Sequence, residues 1–192
     1  MIINRRKALK GVLSISGLSL VSLFSYEFFG KPEFYDREKL ESFKELISQL
    51  VEVIIPSTST PSAKESNVHE FIVHYMKDCA SNREYINFLN GLKDLEQTVL
   101  ERFNRRFIDC TQVQKIEILE KLEPKINESK IVLKISDKLR GRSFYRILKS
   151  LTIEGYCTSF NGATKHLIYA PVPGSYKAIT NLTVDQKAWA TK

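Results

Sequence analysis

Cysteine is scarce in this 192-residue chain, and the three present, Cys79, Cys110 and Cys157, form neither a C-x-x-C pair nor the C-x-x-C-H site that attaches haem. An odd count leaves two readings open, one disulfide beside a free thiol or three buried thiols, and Cys79 falls on an apolar helical stripe that favours burial. No G-x-G-x-x-G follows a strand and no G-x-S-x-G occurs, so nucleotide binding and esterase chemistry lack their usual loops. His69-Glu70 and His74 resemble part of a metalloprotease helix, but these histidines are five apart instead of four. Five residues turn a helix about 140° away from the first position, so the pair would not face one metal. Metal and catalytic site residues are therefore not expected. Acidic residues are missing before Glu27. Four of the seven net positive charges, Arg5, Arg6, Lys7 and Lys10, sit in that segment, and the remainder carries only three. Its lysines and glutamates interleave as on solvated helix faces, and nucleic acid is not an expected partner.

What stands at the start is a basic cluster, Asn4-Arg5-Arg6-Lys7-Ala8-Leu9-Lys10, followed by an uncharged stretch, Gly11 to Tyr26, rich in Leu, Val, Ile, Ser and Gly. This is the layout of an export signal. Adjacent arginines with Leu9 and Lys10 fit the twin-arginine (Tat) route, which carries folded proteins, although Asn4 and Ala8 replace its usual hydroxyl and aromatic residues. Residues 1–30 are read as this signal, with an uncleaved membrane anchor as the alternative, because a span needs about 20 apolar residues. The expected location is the periplasm or the periplasmic face of the inner membrane.

The body, residues 36–180, reads as one mainly α domain: a bundle of about five helices with an irregular arm containing Pro and Gly, then a tail at 181–192. Leu40, Phe43, Leu46, Ile47, Leu50, Val51 and Ile54 recur at helical spacing until Pro56. A second stripe holds Val68, Phe71, Ile72, Tyr75, Met76 and Cys79, and a third runs from Phe88 to Phe103 after Asn82. Thr111-Gln112-Val113-Gln114 has capping-box form and opens a face of Ile116, Leu119 and Leu122. Lys125 to Arg142 is a variable connector, and Ser143 caps a helix bearing Phe144, Ile147, Leu148, Leu151 and Thr152, finishing near Gly155.

Two segments suit partner binding. Tyr169-Ala170-Pro171-Val172-Pro173-Gly174-Ser175-Tyr176 cannot be helical, since both prolines lack an N–H and restrict the residue before them. Such a stiff arm either presents Tyr169 and Tyr176 to a partner, with Pro171, Pro173 and Gly174 setting its shape, or packs over its own helices. Glu154-Gly155-Tyr156 has the same two readings. A basic run, Lys138, Arg140, Arg142, Arg146 and Lys149, is read as a solvated face.

Leu151-Thr152-Ile153-Glu154-Gly155-Tyr156-Cys157-Thr158-Ser159, then Gly162-Ala163-Thr164 and Tyr169 to Tyr176, resembles the signature of the gluconate 2-dehydrogenase subunit 3 family. The front half agrees, with Ile54-Ile55-Pro56, Thr60-Pro61-Ser62-Ala63 and Val68-His69-Glu70-Phe71-Ile72. Ser62, His69 and Ala170 depart from that pattern, standing where the family often has Gly, Pro and Asp. The resemblance, over roughly residues 40 to 178, implies a non-catalytic accessory subunit with no cofactor of its own. It implies as partners an FAD-dependent large subunit of the glucose-methanol-choline (GMC) oxidoreductase type, a cytochrome subunit carrying haem c, and the Tat translocase that exports the flavoprotein folded. A stand-alone envelope helical protein without a redox partner is the alternative.

Overall fold

The computed structural model describes residues 37–122, 141–172, 174–175, 179, 181 and 184–190. These belong to a compact unit formed by Asp36–Lys192. The twin-arginine segment and nearly all of the 125–142 connector lie outside the described residues.

A 3-10 helix, Arg37–Phe43, runs directly into α1, Lys44–Ile54. The stripe that begins at Leu40 is thus not a single α-helix throughout: its first turns wind more tightly and bring Leu40 into the core. Leu46, Ile47, Leu50 and Val51 form the buried stripe of α1. Pro56 disfavours helical geometry in the residue before it, and Ile55 is accordingly extended, with φ −130° and ψ 87°.

The loop that follows folds back, Ala63 donating its N–H to the Ile55 carbonyl at 3.0 Å. Ser62 and Glu65 exchange capping bonds: the Ser62 N–H reaches Glu65 Oε2 at 2.8 Å, and the Glu65 N–H reaches Ser62 Oγ at 3.1 Å. Helix α2, Val68–Asp78, then buries Val68, Ile72, Val73 and Met76. Cys79, expected inside, is exposed at the helix end, and Ala80 takes the buried position beyond it. The chain has left helical phase there, so the stripe does not extend to Cys79.

Helix α3, Asn82–Phe103, opens on a Ser81–Glu84 capping box and ends at Asn104 in the left-handed region. A short 3-10 turn, Phe107–Asp109, leads to α4, Gln112–Leu122, whose expected Thr111–Gln114 box is formed by both bonds. Its inward face differs from the expected one. Ile118 and Leu119 are buried with Lys115, whereas Ile116 and Leu122 are partly exposed. Lys115 turns inward because Gln49 accepts from its ammonium at 2.8 Å and the Phe107 ring lies 5.7 Å beneath it.

Helix α5, Phe144–Thr158, is the centre of the bundle, packing on α1, α2 and α3. It runs past Gly155, where the sequence had placed its end. Phe144, Ile147, Leu148, Leu151, Thr152, Gly155 and Tyr156 lie inward at three- and four-residue spacing. The buried Thr152 hydroxyl is satisfied by the Leu148 carbonyl at 2.7 Å. Burying one such large apolar side chain contributes roughly 1.5–3 kcal/mol.

Two glycines let this helix approach its neighbours. A Cβ on Gly91 of α3 would stand 2.2 Å from both Cβ and Cγ of Phe144, and one on Gly155 would stand 2.6 Å from Cδ1 of Phe71 on α2. The start of α5 is also tied electrostatically. Glu84 uses Oε2 to cap α3 and Oε1 to accept from Arg142 Nη2 at 2.6 Å and Nε at 2.9 Å, while Asn87 donates to the Arg142 carbonyl at 3.1 Å. Arg142 is thus an ion-paired residue and not part of an unopposed basic face.

Gly91→Ala should destabilise the fold despite gaining about 1 kcal/mol of helix propensity. The opposing overpacking costs about 1–3 kcal/mol, at the upper end here because Phe144 Cβ is fixed to the backbone. Gly155→Ala should be milder and partly rescued by Phe71→Leu, since a ring edge can move; urea unfolding of the four variants measures both effects. For the ion pair, partial burial works to raise the Glu84 pKa, but hydrogen bonds and charge from Arg142, with Ser81, outweigh it and hold the carboxyl below its ordinary value. A depressed carboxyl stabilises above its unfolded-state pKa and loses that contribution as pH falls. Glu84→Gln should therefore cost on the order of 1–2 kcal/mol at neutral pH, and wild type and variant should converge below the ordinary value of 4.5.

Candidate functional site

Chemistry-bearing residues gather where the end of α5 meets the polar loop after α1. Tyr156 is only 2 % exposed, and its hydroxyl donates to the Pro61 carbonyl at 2.8 Å, with Thr60 Oγ1 at 3.3 Å. This bond satisfies a buried phenol and holds the 56–62 loop against the bundle. Beyond Ser159 the chain winds into a π-type turn, Gly162–His166, which places the His166 ring 5.6 Å from that of Tyr156. The arm then returns: Ile168 donates to the Ala188 carbonyl and accepts from the Ala190 N–H, both at 2.8 Å, in a parallel bridge between Ile168 and Trp189.

Between these pieces lies an open groove of about 720 Å³. Ile54, Ile55 and Ile153 supply apolar walls, Tyr156 and Cys157 line it from α5, and Lys165 and Lys187 supply charge. The Lys187 ammonium donates to the Lys165 carbonyl at 2.5 Å, fastening the returning arm to the π turn.

The residues expected at a partner surface divide. Glu154 is exposed, whereas Gly155 and Tyr156 face the chain's own core, the first against Phe71 and Val68 and the second against the 60–61 loop. Tyr169, Pro171 and Gly174 are exposed, and nothing lies within 4 Å of a Cβ built on Gly174. Pro173 and Tyr176 lie outside the described residues, as do Arg5, Arg6, Leu9 and Lys10. The groove residues Ile153, Lys165 and Lys187 were missed by the sequence reading. Only their union with a loop about a hundred positions earlier gives them a common purpose, and spacing carries no sign of it.

The histidines stay apart. His69 is mostly buried, its Nδ1 has no hydrogen-bond partner among the described residues, and burial pushes its pKa below the ordinary value. His74 is exposed. Among the described residues, no group of three or more His, Cys, Asp and Glu could hold a metal, and no helix is long and apolar enough to cross a membrane. All three cysteines are free thiols, and burial raises the Cys110 pKa, keeping it protonated.

The family model described as gluconate 2-dehydrogenase subunit 3 matches residues 41–174, from the end of the 3-10 helix to the exposed arm. The chain belongs to the gluconate 2-dehydrogenase subunit 3 family. No curated protein and no solved structure matches it. For a subunit 3 chain, the division above separates two kinds of residue within one segment. Gly155 and Tyr156 build the scaffold, and Glu154, Tyr169 and Pro171 remain at the surface.

Tyr156→Phe should cost about 1 kcal/mol and speed amide hydrogen exchange at Ala63 and its neighbours while sparing the middle of α3. Equal protection of the loop in both proteins would show that the phenol does not hold it.

Proposed function

We propose that this chain is the non-catalytic small subunit of an exported FAD-dependent sugar or sugar-acid dehydrogenase complex, resembling gluconate 2-dehydrogenase. It supplies the twin-arginine signal through Arg5, Arg6, Leu9 and Lys10 and assists assembly and export of a GMC-type flavoprotein subunit. A cytochrome subunit with haem c takes the electrons. The observation that carries this reading is the subunit 3 family match across the helical domain.

The physical logic joins the two ends of the chain. A flavin pocket exists only in a folded protein, and a ligand present at a thousand times its dissociation constant stabilises that fold by about 4 kcal/mol. A flavoprotein loaded in the cytoplasm must then cross the membrane folded, and a small subunit bearing the Tat signal provides the route. Substrate selection and flavin chemistry belong to the large subunit. Several charged groups of the domain are taken up in its own ion pairs, Glu84 with Arg142, Glu70 with Lys44, and Lys77 with Glu38 and Glu41, which suits a scaffold role. The mature complex resides in the periplasm or on the periplasmic face of the inner membrane.

Affinity purification from the envelope should yield a yellow complex with a flavin absorbance band and a second, larger chain. Replacing Arg5 and Arg6 together by Lys should leave both subunits in the cytoplasm. A colourless monomer in the first experiment, or a large subunit that still reaches the envelope in the second, would contradict the escort role.

A further inference from the structure

We propose that the groove between the 56–60 loop, the end of α5 and the returning arm is the docking site for an extended segment of the flavoprotein subunit, one carrying a carboxylate beside an apolar anchor. This rests on the reading of the chain as a flavoprotein's small subunit and adds the surface and chemistry of the contact.

Charge complementarity identifies the occupant. Among the described residues, Lys165 and Lys187 line the groove, no aspartate or glutamate does, and neither lysine is paired with a carboxylate. Elsewhere on this surface lysines commonly find acidic partners, as Lys44, Lys64, Lys77 and Lys121 do. The Lys187 ammonium has three donors and gives one to the Lys165 carbonyl, so its position is fixed while its charge faces the groove. The apolar half of the recognition lies alongside. Ile153 is 46 % exposed on the same wall, and the arm leaves Tyr169, Val172 and Trp189 more than half exposed.

The groove is also built before any partner arrives. Its loop wall is held by the Tyr156 phenol, and its far wall by the two backbone bonds of the Ile168–Trp189 bridge. A preformed site loses little conformational entropy on binding. At about 720 Å³ its volume suits a few extended residues with their side chains.

The test uses the full chain in its complex, purified from the envelope. Treatment with a carbodiimide, which joins an amine directly to a carboxylate, should link Lys165 or Lys187 to one acidic segment of the flavin-bearing chain. Charge reversal at both positions, Lys165→Glu with Lys187→Glu, should weaken recovery of the flavoprotein at least tenfold with unchanged helical circular dichroism. Reversal of the exposed Lys93 on α3 should not. Undiminished flavoprotein with the double variant, or cross-links confined to other lysines, would overturn the groove while leaving the subunit role standing. A native chain that brings no flavoprotein at all would remove both. Should the double variant lose helicity, the cross-links on the native complex decide the matter alone.

Discussion

The close seating of α5 on α2 and α3 is the constraint from which the rest of the domain follows. At one end Gly91 admits Phe144 to the surface of α3, and at the other Gly155 admits the Phe71 ring and Val68 of α2. The two glycines let this helix lie close to α2 and α3 while it packs on three helices and buries a face from Phe144 to Tyr156. Each glycine sacrifices about 1 kcal/mol of helix propensity, and burial of the side chains it admits more than offsets that loss. The depth of Tyr156, the anchoring of the 56–62 loop and the position of the groove all depend on how close this helix lies.

Polar interactions set geometry more than they set stability. The exposed pairs, such as Lys64 with Glu52 and Arg106 with Asp109, contribute little in water. The Glu84–Arg142 pair is different because it is partly buried and shares its carboxylate with a helix cap. One side chain thereby fixes the start of α3 and the chain entering α5. The Tyr156 phenol plays a similar part at the other end, where it ties the 60–61 stretch of the loop to the bundle. Both walls of the groove are hydrogen-bonded in place, and its lining combines isoleucines with loop hydroxyls and two lysines.

Local pattern accounts for the helices well. The stripes of α1, α2, α3 and α5, the stop before Pro56 and the Thr111–Gln114 box are all periodic or capping signals, and each depends on residues within a few positions. The misreadings arise where tertiary contacts decide. Lys115 displaces Ile116 from the inward face of α4 because Gln49, distant in sequence, accepts from its ammonium and the Phe107 ring lies beneath that charge. Cys79 falls outside because the helix ends one residue before it. For Gly155 and Tyr156 the sequence leaves partner contact and self-packing open, and contacts with Phe71 and Pro61, which nothing local announces, place both residues in the packing. The groove is the least legible feature, assembled from three segments that are distant along the chain. The family resemblance, in contrast, rests on residues throughout the domain, and the match across 41–174 agrees with it.

The account joins a rigid helical domain to a folded passenger. Its most direct test is the location of flavoprotein in cells from which the gene for this chain has been deleted, measured as covalent or extractable flavin and dehydrogenase activity in the envelope against the cytoplasm. The account predicts that the flavoprotein is absent from the envelope and is retained or degraded in the cytoplasm. Normal quantities of active flavoprotein in the envelope of those cells would contradict it.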